Sequence, residues 1–223
     1  MDSLRTAVIM DYQNVHLTAH GLFDGSKHRP QHESLVDPLL FANQLIGARN
    51  QTQKVGYAAA SLSKVLVYRG QPSSEHDPQA YARSQRQKAQ WERDQRILVT
   101  LRPLKYFYSY DEFGDRLRDG DGKFVVNGKR EKGIDVLCAL AVVREARNPD
   151  IDLVILASQD SDLEPALDEA LDLHLAKIET YCWYDPSKRH MSRQLRPTAH
   201  TAAWNTRLGE TQFKKCWDPT DYQ

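Results

Sequence analysis

Four aspartates stand where this chain can bring carboxylates together. Asp160 and Asp162 follow the apolar run Leu153 to Ala157, Asp11 follows the run Thr6 to Met10, and Asp135 precedes Val136 to Val143. Two unit negative charges about 4 Å apart repel by roughly 4 kcal/mol at an effective dielectric near 20, and four such groups multiply the pairs. Either some of them are protonated or a divalent cation holds them. All-carboxylate oxygen sites suit Mg2+ or Mn2+, which keep several waters and bridge to phosphate oxygens. Beside a phosphodiester, such an ion activates water and stabilises the negative charge that develops. The chemistry these residues point to is metal-dependent phosphodiester hydrolysis.

The elements that carry the aspartates decide whether they meet. Thr6 to Met10, Ser63 to Arg69, Leu153 to Ala157 and Ala176 to Tyr184 are apolar or β-branched runs of strand length, and Ile97 to Tyr110 is strand-like with Pro103 at an edge or an end. Helical patterns lie between them. Asp37 and Pro38 start one as N-cap and first-turn residue, running to about Arg49. Pro78 to Arg96 predicts a largely exposed helix carrying Tyr81 and Trp91, and Arg130 to Arg147 one that is apolar nearly all round and so buried against the sheet. A last helix runs from Asp162 to about Leu173. Gly21 to Glu33 and Asp111 to Gly122 are polar loops, and Asn127-Gly128 carries the signal of a tight hairpin turn. Alternating strands and helices predict an α/β fold in three layers, a mostly parallel sheet covered on both faces. In such sheets ligands bind beyond the carboxyl ends of the strands, which is where Asp11, Asp160 and Asp162 fall.

Each residue also has a local explanation. Ser161 and Glu164 have the spacing of a capping box at the start of the last helix. Asp11 is a turn residue after a strand, Asn14 suits a local side-chain turn, and Asp135 is favoured by the dipole of the helix it begins. The joint pattern is what these explanations leave over.

Composition limits the alternatives. The chain has 223 residues, 40% of them hydrophobic and 27% charged, with 30 basic and 30 acidic side chains. Global charge therefore does not point to nucleic acid, although seven Lys or Arg fall between Ala82 and Lys105 and seven more after Pro186. Three scattered cysteines, Cys138, Cys182 and Cys216, show no zinc-ligand spacing and suit a reducing compartment. The longest apolar run falls far short of the roughly 18 residues of a membrane helix, and no secretory pattern opens the chain, so a cytoplasmic protein is expected. Residues 1–185 are expected to form the domain and 186–223 a basic C-terminal extension packed on it.

Three linked stretches resemble the NYN family, a branch of the PIN-like nuclease superfamily. They are Val8-Ile9-Met10-Asp11-Tyr12-Gln13-Asn14, Glu131-Lys132-Gly133-Ile134-Asp135-Val136, and Ser158-Gln159-Asp160-Ser161-Asp162-Leu163-Glu164-Pro165, similar to that family's D-x-x-N, K-G-x-D-V and S-G-D-S-D-F-x-P motifs. Gln159 stands where the pattern has Gly, and Leu163 where it has Phe. The resemblance implies a PIN-like fold and an acidic site of Asp11, Asp135, Asp160 and Asp162 binding Mg2+ or Mn2+, with Asn14 orienting Asp11 or a bound water. It implies RNA, single-stranded or structured, as the substrate. Arg69, Arg102 and Lys132 are the candidates to touch the phosphate backbone, and Tyr81 and Trp91 to stack on bases. Two other functions fit the same residues, RNA binding without turnover and hydrolysis of small phosphoesters. The latter ranks last, because no D-x-D follows the first strand and no Gly-rich phosphate loop is present.

Overall fold

The most apolar runs become the strands at the middle of the molecule. The computed structural model describes residues 3–24, 30–31, 34–53, 56–200 and 203–222. In chain order these form β1 (Leu4–Asp11), α1 (Tyr12–Ala19), α2 (Pro38–Thr52), β2 (Ala60–Gln71), α3 (Pro78–Trp91) and β3 (Ile97–Pro103). There follow β4 (Lys105–Tyr108), β5 (Val126–Arg130), α4 (Ile134–Ala146), β6 (Leu153–Ala157) and α5 (Glu164–Asp172). The chain then forms β7 (Lys177–Asp185), β8 (His190–Met191), β9 (Trp204–Leu208) and α6 (Glu210–Lys215).

Strands pair in the order β3-β2-β1-β6-β7, with β9 beside β7, and all these pairings are parallel. Only the two-residue β8 runs antiparallel in this sheet. Side-chain alternation along β1 separates two cores. Val8 and Met10 pack with Val15 of α1, Phe41 and Leu45 of α2 and Phe213 of α6. Ala7 and Ile9 pack with Cys138 and Val142 of α4 and Leu167 of α5. The fold is thus the expected three-layer α/β arrangement, a mostly parallel sheet between two helical layers. No helix among the described residues is long and apolar enough to cross a membrane.

Helix starts follow simple local chemistry. The Asp37 carboxylate accepts from Leu40 N at 2.8 Å ahead of Pro38, and Asp77 accepts from Ala80 N at 3.1 Å ahead of Pro78. α4 is buried on its sheet side, whereas Val136 and Leu140 are 56% and 61% exposed, so it is not enclosed all round as its composition suggests.

Five other expectations are corrected. Trp91 is buried, its ring 4.8 Å from that of Tyr12, and its Nε1 donates to Asp218 at 2.7 Å. The chain between 97 and 110 is two strands, broken at Leu104 after Pro103 ends β3, because proline has no N–H for a further ladder bond. Asn127 and Gly128 lie within β5, paired with β4 across a register shift, and the connection between the strands runs from 109 to 125. Asp111 and Asp119 shape that connection by accepting from backbone N–H groups two and four residues on. Finally, residues after 185 do more than pack on the core, since β9 is a parallel strand of the main sheet. The expected loop Gly21 to Glu33 begins instead with a π-helical turn, His20–Asp24, and otherwise lies largely outside the described residues.

Candidate functional site

Adjacent parallel strands set the first contact. β1 and β6 pair in the register Met10↔Ala157, so the next residues, Asp11 at the end of β1 and Ser158 just past β6, lie side by side. Ser158 Oγ donates to Asp11 Oδ2 at 3.2 Å. The other oxygen of Asp11 caps α1, accepting from Asn14 N at 3.3 Å. Asn14 does not close a local turn. Its Oδ1 accepts from Gln159 N at 2.8 Å and ties α1 to the loop after β6.

That loop then turns on Asp160. Asp160 N donates to Ser158 Oγ, and Asp160 Oδ1 accepts from Asp162 N, each at 3.1 Å. Asp160, not Ser161, is therefore the cap of the helical stretch, which begins as a 3-10 turn, Ser161–Leu163, before α5. The expected capping box does not form. With Pro165 in its first turn, α5 starts at Glu164, whose carboxylate instead accepts from Arg196 N at 3.3 Å and faces Arg193 at 3.8 Å.

Odd-numbered residues of β1 face α4, and Asp11 is the last of them. Asp11, Glu131, Asp135 and Asp160 line one concavity of about 280 Å³, with Arg130 and Lys132 at its margin. All four carboxylates act electrostatically on the buried thiol of Cys138 beneath them and, together with burial, push it up. Asp162 does not line this concavity and is exposed. Asp11 is 6% exposed. Burial first, then the charges of Glu131 and Asp160, raise its carboxyl from 3.8 to about 7, against the lowering effect of its Asn14 and Ser158 hydrogen bonds.

Glu131 is the residue that sequence reasoning missed. Burial holds its carboxyl above the ordinary value, opposed by the Gly70 N–H and the charge of Arg69. It accepts from Gly70 N, and the Gln13 amide nitrogen reaches its oxygens at 2.7 and 3.2 Å. Gly70 permits this approach, because a Cβ there would overlap the side chains of Leu104 and Glu131. The Glu131-Lys132-Gly133 stretch was a visible signal, but what pointed Glu131 inward was the end of β2, more than 60 residues away.

Gly133 opens α4 with φ +77°, and a Cβ on it would lie 3.1 Å from Arg102 Nε. The Arg102 guanidinium thus packs across the backbone at Gly133, two residues before Asp135. Arg102, Arg130 and Lys132 are exposed and form no ion pair among the described residues. Arg69 is placed differently. Its guanidinium lies 4.7 Å from the Tyr12 ring centroid and 5.8 Å from that of Trp91, and it donates to Gln87 at 2.5 Å. It is held by the fold instead of being presented to a ligand. Gln159 is 8% exposed and lies beside Tyr181, so its side chain does not fill the acidic concavity.

The donor set fits a hard divalent cation, being oxygen only. Among the described residues no three Asp, Glu, His or Cys side chains close on a single point as an all-protein cage. Mg2+ does not need one, since it is commonly held by one or two carboxylates, its own waters and substrate phosphate. The concavity has room for that arrangement.

No family model matches the chain, and no curated protein matches it. Among solved structures, the crystal structure of a protein of unknown function from Vibrio parahaemolyticus is similar over 93% of both chains, with 21% identity and a TM-score of 0.47.

Proposed function

We propose that this chain is a metal-dependent ribonuclease of the NYN type that hydrolyses RNA phosphodiester bonds. The observation that carries the reading is the meeting of Asp11, Glu131, Asp135 and Asp160 in one concavity at the carboxyl ends of neighbouring parallel strands. One or two of Asp11, Glu131, Asp135 and Asp160, with water and substrate phosphate completing the shell, would hold Mg2+ or Mn2+. When bound, the ion supplies Lewis-acid stabilisation of the phosphoryl oxygens. Asn14 and Ser158 hold Asp11 in place. In the ion-free protein burial and the charges of Glu131 and Asp160 raise the Asp11 carboxyl, and a bound cation would offset that repulsion. Arg102, Arg130 and Lys132 would hold the phosphate backbone, and Asp162 would act from outside the concavity, on the solvent side. Three buried free thiols accord with the cytoplasm.

The test is cleavage of a labelled RNA panel with Mn2+, abolished by EDTA and by Asp160→Asn. Asparagine caps helices as well as aspartate does, so that variant should still fold. Equal cleavage by wild type and Asp160→Asn across the panel would remove the enzymatic reading. The exposed cations favour one rival, RNA binding without turnover. Retention of RNA with no cleavage, weakening steeply with salt, would select it.

A further inference from the structure

A second concavity, of about 390 Å³, lies beside the acidic one. His76, Tyr81, Tyr106 and Tyr108 supply its aromatic surface, and Pro103 and Leu104 also line it. Leu104 and Glu131 meet at Gly70, so a single wall of two side chains separates the aromatic concavity from the acidic one.

The His76, Tyr106 and Tyr108 walls are held in place without any ligand. Tyr106 Oη accepts from Ser73 N at 2.8 Å, and the His76 ring nitrogen and Tyr108 Oη lie 3.0 Å apart. The His76 and Tyr106 ring centroids are 4.7 Å apart. Lys129 pairs with Asp77 at 2.8 Å, strapping β5 to the start of α3. Ring positions fixed by backbone and side-chain hydrogen bonds lower the entropy lost when a flat ligand is taken up.

Charge at the base of the β4–β5 hairpin identifies the kind of ligand. Lys105 and Arg130 face each other across the ladder, and both cations lie 5.3 Å from the centroid of the same ring, Phe107. Like charges directly opposite in a sheet destabilise it, and neither has a carboxylate partner among the described residues. Arg130 also borders the acidic concavity. Lys105, Phe107 and Arg130 share the face of β4–β5 opposite Tyr106 and Tyr108, the face on which Arg130 borders the acidic concavity. An anionic chain that crosses at Leu104 and Glu131 would therefore meet the two cations on the acidic side and leave a flat aromatic group on the aromatic side. A polynucleotide has both parts at adjacent positions.

We propose that the aromatic concavity is a nucleobase subsite, taking one unstacked base of a single-stranded RNA whose backbone passes Lys105 and Arg130 toward the acidic concavity. It rests on the ribonuclease reading for the identity of the polymer. The subsite makes the preferred substrate single-stranded, since a base paired in a helix cannot enter. It also replaces the expected stacking pair of Tyr81 and Trp91, because Trp91 is buried while Tyr81 joins residues from three other segments.

Fluorescence anisotropy with a labelled decaribonucleotide in EDTA reads binding without turnover. Tyr81→Ala and His76→Ala are each expected to weaken it by roughly tenfold, the scale of one lost base–aromatic stack. Lys105→Ala should weaken it less at high salt and lower the salt slope by about 1. Abasic substitutions scanned along the oligonucleotide should weaken wild-type binding at one position and have no effect there on Tyr81→Ala. Thermal melts confirm that each variant is folded, and His76→Ala carries the test if Tyr81→Ala is not. Full affinity in both aromatic variants, or equal affinity of the wild type for a blunt duplex of the same sequence, overturns the subsite while leaving Mn2+-dependent cleavage intact. Loss of the ribonuclease reading would appear separately, as cleavage unaffected by Asp160→Asn.

Discussion

Asp11 is the residue on which the site's competing demands fall. It is buried against α4, receives two hydrogen bonds, and faces Glu131 and Asp160, and the outcome is a carboxyl raised from 3.8 to about 7. An acid with a raised folded value opposes folding only where it must ionise. The penalty is absent below 3.8, grows as pH rises to about 7, and stays constant above that. Its upper bound is about 4 kcal/mol, at roughly 1.4 kcal/mol per unit. Asp11→Asn is therefore expected to raise the melting temperature of the EDTA-treated protein by several degrees at pH 8 and by much less at pH 5. Mn2+ at pH 8 should stabilise the wild type more than the variant. Equal gains at both pH values would show that ionisation of Asp11 does not limit stability. At this scale the sequence was informative about which acids meet, since three of the four proposed ligand residues line the concavity, and uninformative about Glu131 and the outward placement of Asp162. Spacing places a residue on an element, but not its side chain against a distant strand.

Among the elements, α4 shows how backbone conformation serves the site. Asp135 reaches the concavity from the first turn of a helix whose preceding residue, Gly133, has φ +77° and is crossed by Arg102. A side chain at that position meets both the left-handed backbone penalty, about 1–2 kcal/mol, and the guanidinium. Gly133→Ala is expected to lower stability by about that amount and to reduce RNA cleavage by an order of magnitude or more through displacement of Asp135 and Arg102. Urea denaturation and initial rates measure the two effects. Wild-type rates at reduced stability would separate Asp135's placement from the backbone at Gly133. Helix starts with Asp-Pro were legible because the cap and the proline act within one turn. The start of α5 was not, although Ser161 and Glu164 have the right spacing, because Asp160 had already taken the cap role through its contacts with Ser158 and Asp162 N.

For the molecule as a whole, residues after 185 are part of the sheet and of its larger core. Leu208, Phe213 and Cys216 are fully buried, Phe213 stacks on Phe23 with centroids 5.6 Å apart, and Asp218 receives the indole of Trp91. Fully burying a residue such as Leu or Phe contributes about 1.5–3 kcal/mol, so several such losses approach a typical domain's entire stability. A chain ending at Asp185 is expected to lack a cooperative thermal transition and to expose Trp183. Circular dichroism and tryptophan fluorescence measure this, and a sharp transition near the full-length temperature would show residues 1–185 to be self-sufficient. The apolar runs by themselves determined the strands, their alternation with helices and the sheet edge on which Asp11 and Asp160 stand, because burial imposes a period that composition displays. Only the tertiary structure decided that Glu131 joins them, that Trp91 and Arg69 turn inward, and that β9 completes the sheet. Those outcomes depend on contacts between residues far apart in the chain, and no local pattern encodes such contacts.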